Sequence, residues 1–197
     1  MALKCLVKLS NVNNLSDARY GAGMGVEMMG FPLDEDSGVS IEDFKEMTSW
    51  IEGPKFVAEF TSPTTNRVLE VISGCHPDMI EIKDTSFIKD LTHVQIPVIL
   101  RWPITKLDAV PQHLDVAYVV LEDDNAIQLS SAQKDLIKTI GEDYNILLGS
   151  GFTPANVLAL CEELPLAGIS LKGGDEIRAG YKDYDELADI LELLEED

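Results

Sequence analysis

The chain has 197 residues, enough for one domain with a sizeable core. Hydrophobic residues make up 45% and charged residues 25%, as in ordinary globular proteins, and no apolar run reaches the roughly 20 residues of a membrane-spanning helix. With 35 acidic against 15 basic side chains the formal net charge is -20, which repels a phosphate backbone and argues against a nucleic-acid partner.

Along the chain, short apolar and β-branched runs alternate with amphipathic stretches. The first run, Leu3–Leu9, alternates already and reads as a strand rather than a signal peptide, so the expected location is cytoplasmic. Further strands are expected at Val26–Phe31, Lys55–Phe60, Met79–Lys83, Val98–Arg101, Val116–Leu121, Asn145–Leu148 and Gly168–Lys172. Helical patterns fall between them: Ser16–Gly23, Ile41–Ile51, Thr65–Ser73, Ser86–Leu91, Lys106–Gln112, Ser130–Ile140, Pro154–Leu164 and Asp183–Leu194. Asn14 offers a capping oxygen, Ser40 opens a capping box with Asp43, and Thr153-Pro154 reads as an N-cap followed by proline at the first helical position. Eight strands, each followed by a helix, make a parallel sheet, and closing it removes the edge strands. The expected fold is therefore a compact (β/α)8 TIM barrel, a single domain over residues 1–197; an open doubly wound sheet is the runner-up.

Ligands of such barrels bind at the C-terminal strand ends, and strand alternation selects the side chains that reach them. Lys8 and Ser10 share the inward face of the first strand. The same parity turns Glu59, Glu81, Lys83, Arg101, Glu122 and Lys172 inward. Charges recurring at strand ends describe either a polar, partly ionic pocket or a layer of salt bridges that stiffens the barrel. Pairs such as Lys8 with Glu59, or Glu81 with Arg101, would serve the second reading without any ligand. Two glycine sets, Gly149-Ser150-Gly151 after the seventh strand and Gly173-Gly174 after Lys172, occupy the loops that hold phosphate in many such barrels.

The remaining candidates are plainer. Cys5, Cys75 and Cys161 are an odd number without paired spacing, so neither a disulfide framework nor a zinc site is expected. His76, His93 and His113 sit in connections without ligand spacing and read as surface residues. No metal or cofactor is implied.

Three segments carry a family resemblance. "VKLSNVNNLSDARYGAGMGVEMMGF", "LLGSGFTPANV" and "GISLKGGDEIRAGYKD" resemble, in register, the opening, the seventh-strand loop and the eighth-strand loop of the phosphoribosylanthranilate isomerase family. The resemblance implies an aldose–ketose (Amadori) rearrangement of a phosphoribosyl amine in tryptophan biosynthesis, with a general acid opening the sugar ring and a general base taking the C2′ proton. The family's basic cysteine falls at Ser10, and its acidic aspartate at Glu122 or Asp123. On the strand parity above, Lys8, Glu81, Lys83 and Arg101 are the candidates to contact substrate, although Glu81-Ile82-Lys83-Asp84 replaces a family Gln-Leu-His-Gly segment. Gly149, Ser150, Gly151, Lys172, Gly173 and Gly174 are the candidates to hold its phosphate.

The departures from the family cluster at the chemistry. A family arginine falls near Ser37, the Gly-Gly-Thr-Gly loop after strand six is replaced by Asp124-Asn125-Ala126-Ile127, and the eighth-strand aspartate is Ser170. Lys8, Gly149, Gly151, Pro154, Asn156, Gly174, Gly180, Lys182 and Asp183 match. Two readings follow: a working isomerase with unusual catalytic groups, in which Ser10 or Glu81 is the base, or a lapsed or repurposed barrel that binds a phosphorylated small molecule without isomerising it. Either would be a monomer or homodimer free of membrane and nucleic acid.

Overall fold

A computed structural model describes residues 2–36, 39–91, 94–123, 128–172, 176–178, 181–182 and 185–196. Eight parallel strands close into a barrel in chain order: β1 (Leu6–Ser10), β2 (Met28–Pro32), β3 (Lys55–Glu59), β4 (Met79–Ile82), β5 (Val98–Trp102), β6 (Tyr118–Leu121), β7 (Ile146–Leu148) and β8 (Leu166–Lys172). Helices follow them on the outside: α1 (Leu15–Gly23), α2 (Ile41–Thr48), α3 (Thr65–Cys75), α4 (Ser86–Asp90), α5 (Ser131–Ile140), α6 (Val157–Glu163) and α7 (Asp185–Leu194). The fold is the expected TIM barrel, and the open sheet is excluded by the pairing of β1 with β8.

Local chemistry sets the element ends. Asn14 Oδ1 accepts from Asp17 N to start α1, and Ser40 with Asp43 forms the expected capping box at α2. Three expectations shift. The run at Leu3 does not join the barrel; Leu3 bridges Glu195 at the end of α7, and β1 begins at Leu6. Instead of a helix over 106–112, a 3₁₀ segment covers Ile104–Ala109 and stops at Val110, which Pro111 holds extended. Helix α6 starts at Val157 rather than Pro154, because Asn156 Oδ1 turns back to accept Thr153 N at 2.7 Å. After β8, a short antiparallel pair, β9 (Glu176–Arg178) with β10 (Tyr181–Lys182), precedes α7.

The barrel interior is layered. Met28, Val57, Met79, Ile99, Val120 and Leu147, one from each of β2 to β7, form an apolar floor. Two residues further along each strand the same face carries Gly30, Glu59, Glu81, Arg101, Glu122 and Gly149. The floor thus ends where the ionic groups begin, at the C-terminal mouth. Outside, the opposite strand faces pack against the helices; Val119, Leu121 and Leu148 meet Ile137, Ile140 and Leu160. Among the described residues no helix is long and apolar enough to cross a membrane.

Candidate active site at the barrel mouth

An ionic layer caps the apolar floor. Lys8 Nζ donates to Glu59 Oε1 and, at 2.6 Å, to Ser10 Oγ. It also lies 2.8 Å from Glu81 Oε2, pairing by charge although the angle is outside hydrogen-bond geometry. Arg101 pairs with Glu81 through both Nε and Nη2, and reaches Glu59 at 3.5 Å and Glu122 at 4.0 Å. Lys172 pairs with Glu122 Oε1. Three cations and three carboxylates therefore balance in one chain from β1 round to β8.

Both pairs named for the salt-bridge reading, Lys8 with Glu59 and Glu81 with Arg101, are present. Lys8 is fully buried, and Glu59 and Glu81 nearly so. Burial alone would push the Lys8 ammonium down, yet Glu59 and Glu81 outweigh it and raise its pKa. Burial would likewise raise the Glu59 carboxyl, but Lys8, Arg101 and the Asn11 N–H pull it down to about 2. Arg101 is held above its ordinary value in the same way.

Two backbone features make room for this layer. A Cβ at Gly30 would overlap the Glu59 carboxylate, so only glycine on β2 lets that side chain fold inward. Asn11, at φ 59°, turns the end of β1 through the left-handed region, which asparagine tolerates, and its N–H donates to Glu59 Oε2 at 3.0 Å.

Above the layer lies a cavity of about 380 Å³, lined by Lys83, Arg101, Trp102, Pro103, Lys106, Glu122 and Asp123. The two carboxyl candidates at the end of β6 separate here. Asp123 is spent on structure: Oδ2 accepts Thr105 N at 2.8 Å, and Oδ1 lies 3.3 Å from Thr105 Oγ1. Glu122 borders the cavity, and its Oε2 is buried with no hydrogen-bond partner among the described residues. Ser10 lies deeper, almost wholly buried, accepting from Lys8 and sharing a 3.0 Å hydrogen bond with Ser170. Neither Lys8, Ser10 nor Glu81 lines the cavity; Lys83 and Arg101 do.

The seventh-strand loop is only partly free to receive an anion. Gly149 N already donates to Leu121 O at 2.8 Å, so its amide is spent on the β6–β7 pairing. Its missing side chain serves Glu122 instead, since a Cβ there would stand 3.0 Å from Glu122 Cβ. Ser150 Oγ accepts Asp123 N at 3.0 Å, which ties this loop to the end of β6 and leaves the hydroxyl proton to donate. Gly151 has φ 91°, a conformation that favours glycine. Gly173, Gly174, Ser37, His93, Gly180, Asp183 and the segment 124–127 lie outside the described residues. Of the residues that sequence reasoning passed over, Trp102 and Lys106 matter most. Only their position at the end of β5 and just past it could have marked them, and Lys106 reads in sequence as the start of a helix.

No family model matches the sequence. The N-(5'-phosphoribosyl)anthranilate isomerase of Marinomonas sp. (strain MWYL1) is 25% identical over 190 residues, covering 91% of this chain and 93% of that protein. Over nearly its whole length the chain is similar to that phosphoribosylanthranilate isomerase. In fold, the phosphoribosylanthranilate isomerase of Thermotoga maritima superposes with a TM-score of 0.75 at 17% identity, over 95% of this chain and 97% of that one. A phosphoribosylanthranilate isomerase in complex with reduced 1-(o-carboxyphenylamino)-1-deoxyribulose 5-phosphate superposes at 0.73 with 18% identity, again over 95% and 97%. At the positions where the resemblance places the family's acid and base, this chain has two carboxyls at the end of β6, Glu122 and Asp123, and the buried Ser10.

Proposed function

We propose that the chain is a phosphoribosylanthranilate isomerase-like barrel of tryptophan biosynthesis that rearranges a phosphoribosyl amine from aldose to ketose form. The observation that carries this reading is Glu122, a buried carboxyl bordering the mouth cavity with one oxygen that accepts no hydrogen bond among the described residues. Its role would be to protonate the ring oxygen as the sugar opens. The phosphate end of the ligand belongs on the β7–β8 side, at Ser150, Gly151 and Lys172 with Gly173 and Gly174. Lys172 is 40% exposed and pairs with Glu122, so an arriving phosphate can draw the ammonium away from the carboxyl. The partner is thus a phosphorylated small molecule, bound by a monomer or homodimer.

One observation favours a second reading. Ser10 sits under Lys8, its oxygen already accepting from an ammonium, and a serine hydroxyl so placed is a poor base. A barrel that binds the phosphorylated compound without isomerising it fits that geometry. Complementation of a tryptophan auxotroph lacking the isomerase separates the two. Growth supports the isomerase; no growth, from a chain that is expressed and binds a phosphoribosyl amine, supports the lapsed barrel.

A further inference from the structure

We infer that Cys5 and Cys161 form an oxidation site at the N-terminal end of the barrel, where a peroxide converts them to a reversible disulfide that staples the seam closing the sheet. Nothing in their spacing marks a pair; the closed fold brings them together. The site lies at the opposite end from the mouth and does not depend on the activity proposed above.

The placement follows from strand parity and the closing pair. Cys5 stands one residue before β1, on the same outward face as Val7 and Leu9, which are buried in the core between sheet and helices. Val157 of α6 belongs to that cluster, and Cys161, one turn further on, packs against it. Strand β1 pairs with β8, with Leu6 opposite Gly168, and a Cβ at Gly168 would collide with Leu6 O, so the seam is tight. Helix α6 leads into β8 through Leu164 and Pro165, and its last turn meets the start of β1, where the two thiols share a hydrogen bond. Lys4 N donates to Leu194 O at 2.8 Å and Glu196 N to Ala2 O at 3.0 Å, so Cys5 sits on a chain end pinned to α7. Both thiols are free and half-buried, within reach of a small oxidant.

The two sulfurs differ in role. The hydrogen bond from the Cys5 S–H draws the Cys161 thiol down against its burial, while the same bond, burial and the Glu27 carboxylate push Cys5 up. Cys161 therefore meets the oxidant and Cys5 resolves it. The Cys161 thiolate attacks one peroxide oxygen; the S–O bond forms, the O–O bond breaks, and the leaving hydroxide takes up the proton that Cys161 released. Cys5 sulfur then attacks Cys161 sulfur; the S–S bond forms, the S–O bond breaks, and hydroxide departs with the Cys5 proton as water. The thiols lose two electrons and the peroxide gains them. Cys75, also half-buried and with its thiol pushed up by burial, is the internal control.

The test exposes the full chain to hydrogen peroxide at pH 7, blocks remaining thiols with iodoacetamide at successive times, and maps unreduced peptides by mass spectrometry. A Cys5–Cys161 linked peptide is expected in monomeric protein, lighter than the two thiol peptides by two hydrogens. It should form at least about tenfold faster than Cys75 is oxidised, and dithiothreitol should abolish it. Cys5→Ser leaves the Cys161 sulfenic acid unresolved, so dimedone should label Cys161 far more in that variant than in wild type. Oxidation should also raise the urea midpoint of the wild type and leave that of Cys5→Ser unchanged. No linked peptide, a disulfide between two chains, Cys75 oxidised as fast, equal dimedone labelling in both proteins, or a wild-type midpoint that oxidation does not raise would each overturn the proposal.

Discussion

Replacing Lys8 by methionine separates a ligand-binding lysine from a structural one. Sequence parity puts Lys8 in the mouth, where its loss would lower affinity and spare the fold. The structure buries it completely between Glu59 and Glu81. Lys8→Met then leaves two buried carboxylates sharing Arg101, which is 3.5 Å from Glu59 and already engaged with Glu81. Breaking a buried ion pair from one side costs about 3–5 kcal/mol. At roughly 2–4 °C per kcal/mol for a domain of this size, the melting temperature should fall by about 6–20 °C. Urea unfolding at pH 7 measures the loss directly. Adding Glu59→Gln removes one orphaned charge and should return about 0.5–3 kcal/mol. A single variant within about 1 kcal/mol of wild type, or a double variant no more stable than the single, would refute the buried-network reading.

Four other outcomes follow from the same geometry. Glu59 has a carboxyl held at about 2, well below its unfolded value, so it stabilises the fold above roughly pH 4.5 and loses that contribution as pH falls towards 2; Glu59→Gln should flatten this limb in acid-unfolding curves. Gly30→Ala places a methyl on the Glu59 carboxylate and should destabilise by about 1–3 kcal/mol in the same unfolding assay, relieved when Glu59 is also shortened to alanine. Ser10→Cys sets a thiol beside the Lys8 ammonium, which favours thiolate, and should raise or create isomerase turnover; a slower enzyme would count against a base at this position. Cys5 and Cys161 share a hydrogen bond that lowers the Cys161 thiol and raises that of Cys5, so peptide mapping after brief iodoacetamide treatment should find Cys161 labelled first.

The barrel was legible because eight apolar runs alternate with capped amphipathic stretches, and strand parity alone turned Glu59, Glu81, Arg101 and Glu122 inward. Parity gives direction and not depth. Whether Lys8 meets solvent depends on its register against Ser170 and Met28, and on Gly30 admitting Glu59 beside it, which are properties of the closed barrel. The start of α6 was misplaced because Thr153-Pro154 has the residue types of a helix start, whereas Asn156 competes for the Thr153 amide. Gly149 resembles a phosphate-loop glycine in sequence; its amide is taken by Leu121, and its value to the site is the space it leaves for Glu122. Sequence does not separate Glu122 from Asp123; the Thr105 amide that Asp123 accepts comes from a different strand connection.

The most direct measurement is turnover of N-(5'-phosphoribosyl)anthranilate by the wild-type chain and by Glu122→Gln. Removal of a general acid costs roughly 10²–10⁴-fold. The expected result is measurable wild-type turnover that falls by that factor in kcat while the fold and ligand affinity persist. No wild-type turnover, or a Glu122→Gln variant as fast as wild type, would contradict an isomerase working through Glu122.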